Sequence, residues 1–195
     1  MSHNGEGAAY DVGVIGGGVV ACAVGKTLAT NGKKVIIFRF RYKTYCEELN
    51  FLDKNKYPDK EETDGYDDNS IHIVVRIGKR LGGYARVIFP REGTLPIFEH
   101  FDVLKEKDME HACEISRFMI SKVFRNNHET RRGVFGLLVE EILEAAKENH
   151  IKVTYAAVEE WLLKSLVKRK YNFQEIGDGK HHMGAVTYPT KLKIV

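Results

Sequence analysis

Two groups of residues in this sequence are of types that chemistry uses. The first is Gly16, Gly18 and Ala21, a GxGxxA series inside YDVGVIGGGVVACAVGKTLATNGKKVIIF. Small residues so placed let a backbone approach a pyrophosphate at a helix N-terminus, the chemistry of flavin- or nicotinamide-binding oxidoreductases. Arg39 follows the would-be second strand, where an acid usually holds the ribose hydroxyls, and nothing downstream supplies further units of that kind. The second group is Asp64, Asp67 and Asp68. Their spacing departs from the alternating acids of a calcium loop and no His-x-x-x-His pair accompanies them, so no metal site is expected. His181 and His182 read as an exposed loop pair, and Cys22, Cys46 and Cys113 form no CxxC, which argues against a zinc site or disulfide framework and for a reducing cytoplasm.

The elements that must position any site follow from periodicity. Strands are expected at Ser70 to Ile77, Gly83 to Phe89, Glu114 to Ile120, Lys152 to Ala157, Tyr171 to Ile176 and Ala185 to Lys191, where β-branched and aromatic residues concentrate. Val134, Leu137, Leu138, Ile142 and Ala145 recur at helical spacing, which predicts a long helix from Thr130 to Asn149. Strand, helix and strand in that order make a crossover with two parallel strands. A second helix is expected over Val158 to Arg169. Val35, Phe38, Tyr42, Tyr45 and Leu49 also follow helical spacing, so a helix over Lys34 to Leu49 competes with the second strand of the glycine fingerprint.

At 195 residues and 43% hydrophobic content the chain suits one domain. No apolar run approaches the roughly 20 residues that a membrane-spanning helix needs, and the opening residues lack a secretory signal pattern. A net charge of +3 is too small to argue for nucleic acid. Acids dominate residues 47 to 68, whereas Lys164, Lys168, Arg169 and Lys170 cluster towards the end. We divide the chain into an N-terminal extension, 1–33, and a domain, 34–195.

Four segments carry a more specific likeness: FRYKTYCEELNFLD, EETDGYDDNSIHIVVR, GGYARVIFP and CEISRFMISKVFR, in that order. Over about 155 residues the chain resembles the N-acyl amino acid synthases, relatives of the acyl-homoserine lactone synthases in the GNAT superfamily. The resemblance implies an α/β GNAT-like acyltransferase fold, a mixed central sheet with flanking helices. It also implies transfer of a long fatty acyl group from an acyl carrier protein thioester to the α-amine of an amino acid, tyrosine or another aromatic, with no cofactor. The family's polar positions fall on Arg41, Asp64, Asp67, Arg86, Glu114, Ser116 and Arg117. Phe51 and Tyr45 stand where lactone synthases commonly carry tryptophan and phenylalanine, departures that argue against lactone synthesis from S-adenosylmethionine and leave acyl transfer intact.

Such chemistry requires a base, because an α-amine with a pKa of about 8 is mostly protonated at neutral pH. Glu114 is the candidate, and it shares a strand face with Ser116 by period-two alternation; pairing with Arg86 or Arg117 is its competing role. The resemblance implies that backbone N–H groups near Phe118, Met119 and Ile120 are the oxyanion donors. Arg41 and Arg117 could fork onto the acceptor's carboxylate, or form salt bridges with Asp64 and Asp67. The turn FRNNHETRRG is poor in the glycines with which coenzyme A-dependent relatives hold a pyrophosphate, and rich in cations. Lys122, Arg125, Arg131, Arg132, Lys168 and Arg169 could instead meet an acidic acyl carrier protein, or simply face solvent. The alternatives from other classes are a nucleotide-binding oxidoreductase fragment, a lactone-type signal synthase and a non-catalytic acyl-binding module.

Overall fold

A computed structural model describes residues 10–16 and 31–194. The elements run β1 (Tyr10–Gly16), α1 (Asn31–Tyr42), β2 (Ser70–Ile77), β3 (Arg80–Ile88), α2 (Ile97–His100), β4 (Ala112–Ile120), α3 (Lys122–Arg125), α4 (His128–Glu148), β5 (Val153–Glu159), α5 (Glu160–Lys168), β6 (Gln174–Glu175), β7 (Lys180–His182) and β8 (Ala185–Lys193). The strands form one sheet in the order β1-β2-β3-β4-β5-β8-β6, with β7 also paired to β8. β4 and β5 are parallel, as the crossover through α4 demands, and the other pairs are antiparallel.

Strand alternation sorts the core. Ile71, Ile73 and Val75 of β2 join Ala85 and Val87 of β3 beneath Val134, Leu138 and Ile142 of α4. Val74 and Tyr84 point the other way, onto Ile37 of α1 and Tyr45. Asn127 caps α4 by accepting the Thr130 N–H at 2.9 Å, which satisfies one of the orphan donors of the first turn. Gly83 sets how closely α4 approaches the sheet: a Cβ there would lie 2.5 Å from Val134 Cγ1 and 3.0 Å from Leu138 Cδ1. Gly83→Ala is therefore expected to cost ~1–3 kcal/mol through overpacking, read as a lower urea midpoint at unchanged slope.

The N-terminal region departs from the dinucleotide pattern. Tyr10–Gly16 is an edge strand antiparallel to β2, and the VIIF segment belongs to α1, so no strand-helix-strand unit forms with it; Gly18 and Ala21 lie outside the described residues. After Tyr42 the helix widens into a π-turn, Lys43–Glu48, which buries Thr44, Tyr45 and Cys46. The expected strand over 171–176 shrinks to Gln174–Glu175. Lys170 takes a left-handed φ of 66° and Tyr171 N–H returns to Leu166 O, while Tyr171 and Phe173 pack on Phe135 and Leu166. His182 is a second correction. It belongs to β7 and its ring lies 4.3 Å from that of His100, centroid to centroid, so it is a packed side chain and not a free loop residue.

Candidate active site

The site begins where the two parallel strands part. β4 and β5 pair only through Ala112–Val153, Cys113–Thr154 and Glu114–Tyr155, after which the remainder of β4 has no partner on that side among the described residues. A cavity of about 450 Å³ opens there, a size usual for small-molecule sites. Its far wall is apolar, made by Phe135 and Val139 of α4, Leu162 and Leu166 of α5, and Tyr171 and Phe173. Its near end is polar, with Asp64, Arg86, Glu114, Ser116 and Arg117.

β4 is bulged at this point. Arg86 opposes Ser116 and Tyr84 opposes Met119, so Arg117 and Phe118 together face Ala85. Arg117 takes φ 55°, a conformation costly for a residue with a Cβ, and such strain persists only where surroundings impose it. Here the guanidinium is held in a fork on Glu62, with Nη2 to Oε1 at 2.9 Å and Nε to Oε2 at 3.2 Å. The bulge leaves Arg117 and Phe118 without one-to-one partners on β3, beside the open edge of β4. Phe118 lines the cavity, whereas the Met119 side chain is buried with Val74 and Tyr84.

Around Arg117 the charges form one network. Arg86 forks onto Asp64 at 2.6 and 2.8 Å, reaches Asp67 at 2.6 Å, and donates from Nε to Ser116 Oγ at 2.9 Å. Arg41 pairs with Glu62 at 2.6 Å and with Asp67. Burial pushes the Glu62 carboxyl up, but Arg117 and Arg41 outweigh it and hold it down to about 2. Asp64 is likewise raised by burial and brought to about 2, chiefly by Arg86. Of the two roles open to Arg41, the acceptor's carboxylate or salt bridges with Asp64 and Asp67, the structure shows the second. Arg41 is wholly enclosed and does not border the cavity, because its acids come from the loop that covers it. Asp67 is also buried behind the cavity and serves both Arg41 and Arg86.

Glu114 stands apart from this network. It is 6% exposed, and its Oε2 accepts the Ile97 N–H at 2.7 Å at the start of α2. Neither Arg86 nor Arg117 hydrogen-bonds it; Arg86 donates to Asp64, Asp67 and Ser116, and Arg117 to Glu62, Asp64 and Met183. Burial pushes its carboxyl up to about 7, with the Ile97 amide pulling the other way. A carboxylate so poised, bordering a cavity, has the properties of a general base or acid near neutrality.

The cations assigned to a carrier surface divide. Lys122, Arg131, Arg132, Lys168 and Arg169 are exposed, the Arg169 guanidinium resting 4.8 Å over the Phe135 ring. Arg125 is tied inward instead, donating to Ile120 O at 2.7 Å and to Glu48 at 3.1 Å. Sequence reasoning missed Glu62, whose only signal is its place two residues before Asp64, and the Met183 thioether, which accepts from Arg117 Nη1 at 3.0 Å. Among the described residues no group of three or more metal-ligating side chains occurs, and no helix is long and apolar enough to cross a membrane.

Against known proteins, a model of the GNAT acetyltransferase domain matches residues 40–132. No curated protein matches the sequence significantly. Among solved structures the chain is similar to the CoA-dependent acyl-homoserine lactone synthase BjaI, at 18% identity, TM-score 0.75, covering 96% of this chain and 84% of that one. It is also similar to the acyl-homoserine lactone synthase LasI, at 12% identity, TM-score 0.71, covering 97% and 92%. An acyl-CoA N-acyltransferase from Pseudomonas aeruginosa matches at 15% identity, TM-score 0.60, covering 94% and 99%. With the domain match over residues 40–132 and the architecture in agreement, this chain has a GNAT-like fold, a mixed β-sheet with flanking helices.

Proposed function

We propose that the protein is an N-acyltransferase that moves a long fatty acyl group from an acyl carrier protein thioester to the α-amine of an aromatic amino acid. The observation that carries this reading is the cavity through the β4–β5 split. It has an apolar far end walled by α4 and α5 and a buried carboxylate at its polar end. The apolar wall suits an acyl chain; the polar end suits a charged acceptor. Glu114 takes a proton from the acceptor ammonium, and the freed amine attacks the thioester carbonyl. Amides of the β4 bulge stabilise the oxyanion, worth about 3 kcal/mol for one such donor. Collapse breaks the C–S bond, and the nitrogen's second proton passes to the departing thiolate. Arg117, at the cavity edge, offers its cationic face to the acceptor's carboxylate. The reaction needs no resident cofactor, and the reading places the protein in the cytoplasm, where carrier thioesters are made.

The test supplies a palmitoyl carrier thioester or palmitoyl coenzyme A to the purified protein with a mixture of amino acids and follows acyl amides by mass spectrometry. Amide formation from the carrier thioester is expected to exceed that from the coenzyme A thioester. The preference should shrink as salt rises, since exposed charges are screened over about 8 Å at physiological ionic strength. Arg131→Glu with Arg132→Glu should weaken use of the carrier while sparing a short pantetheine thioester. Equal use of both donors at every salt concentration would refute the carrier, and no amide from either would refute acyl transfer.

A further inference from the structure

Thr187 of β8 borders the cavity and is 8% exposed, yet its hydroxyl has no hydrogen-bond partner among the described residues. Buried hydroxyls are paired as a rule. Thr190, on the same strand, obeys it by donating to Ala156 O at 2.8 Å. The Thr154 hydroxyl is also unpartnered, but Thr154 does not border the cavity. A stranded hydroxyl enclosed by protein on every side can only lower stability, whereas Thr187 has a cavity beside it from which a partner for its hydroxyl can come.

Strand register tells which part of a substrate would meet it. Thr187 opposes Glu159 of β5, and opposed residues of an antiparallel pair share a face. Ala157 and Tyr155, two and four residues earlier on that face, pack with Ile97 and Phe98 of α2. Ala156 and Val158 face the other way, onto Leu162 and Phe173 of the apolar wall. Thr187 is thus on the α2 side, from which Ile97 reaches Glu114, and not on the acyl side. The cavity there is bordered by flat rings, those of Tyr66, His100 and His182, the two imidazoles 4.3 Å apart. A planar side chain fits between such walls, and the hydroxyl supplies one polar contact.

We infer that Thr187 is a specificity-determining residue, its hydroxyl hydrogen-bonding a polar group on the acceptor's planar side chain. This rests on the acyl-transfer reading of the same cavity. A site that hydrogen-bonds a substrate hydroxyl rejects the analogue lacking it far more strongly than an apolar pocket separates two hydrocarbons, because its own polar group is left unpaired.

The experiment measures kcat/KM for tyrosine and phenylalanine with one carrier thioester, in wild type, Thr187→Val and Thr187→Ser. Wild type should prefer tyrosine. Thr187→Val should lower the tyrosine value roughly tenfold or more and leave phenylalanine nearly unchanged, while Thr187→Ser keeps the preference. Thermal stability should not fall in Thr187→Val, since no protein partner is lost. Equal losses on both acceptors, or no tyrosine preference in wild type, would overturn the assignment. If wild type forms no amide at all, the acyl-transfer reading fails separately. The thermal shifts given by tyrosine and phenylalanine then decide Thr187: a larger tyrosine shift abolished by Thr187→Val supports it, and equal shifts refute it.

Discussion

Glu114→Gln is expected to lower turnover roughly 10²-fold or more, the usual worth of a positioned base, while leaving acceptor affinity nearly unchanged. Glutamine keeps the shape and an oxygen that can still accept the Ile97 N–H, but it cannot take a proton at neutral pH. The pH profile separates this from a structural effect. With its carboxyl pushed up to about 7 by burial, Glu114 gains its basic form as pH rises through 7, so the wild-type rate should climb between about pH 6 and 8. In Glu114→Gln that limb should vanish, leaving only the rise set by the acceptor's amine, at about pH 8 or above. Stability should move the opposite way. The folded carboxyl binds its proton more tightly than the unfolded one, so its stabilising contribution is complete below about 4.5 and is lost as pH rises through about 7. Above that pH the glutamine variant should unfold at a higher temperature than wild type. Unaltered turnover across pH 6 to 9 would remove Glu114 from the mechanism.

The parts of the fold that could be read in advance are those whose own period decides their burial. β2 alternates so that Ile71, Ile73 and Val75 meet α4, and α4 repeats Val134, Leu138 and Ile142 towards them; each pattern is complete within its element. The VIIF segment is different. A run so short fits strand or helix equally, and what settles it is Ile37 packing on Val74 and Tyr84 across the sheet, a contact with no local signature. β7 was illegible for a related reason: it exists only by pairing with β8 through a turn at Met183 and Gly184, both at positive φ. Gly184 suits that turn doubly, since a Cβ there would lie 2.4 Å from Phe51 Cδ1.

For the site, residue types were legible and assignments were not. Seven polar positions could be named from the motifs, and five of them, Asp64, Arg86, Glu114, Ser116 and Arg117, border the cavity. Which arginine faces the cavity and which is sealed behind it depends on the loop carrying Glu62, Asp64 and Asp67. That loop folds back over α1, with the Glu62 N–H donating to Phe38 O at 3.1 Å. Spacing along the chain carries no record of that closure. The same holds for Thr187, an ordinary strand residue whose interest lies only in a missing partner.

Arg41→Met should prove the most destabilising change in this network, costing ~3–5 kcal/mol, because it keeps the aliphatic stem and strands buried carboxylates. Glu62 is wholly buried and Asp67 nearly so, and Arg41 is the group that bridges them. Arg41 Nη2 makes no hydrogen bond and lies 3.9 Å from Asp64 Oδ2, so the loss falls mainly on the other two acids. Arg41→Lys keeps the charge but not the fork, and should fall between wild type and Arg41→Met. The pH dependence carries a sign. Glu62 and Asp64 are held at about 2, below their ordinary values of 4.5 and 3.8. The network's contribution is therefore fully present above about pH 4.5 and is lost as pH falls towards about 2. Denaturant titrations should show the gap between wild type and Arg41→Met widest near pH 7 and closing over that acid window. A variant of unchanged stability with a raised acceptor KM would instead make Arg41 a substrate contact. That outcome would require the loop carrying Glu62 and Asp67 to move, since Arg41 is wholly enclosed and does not border the cavity.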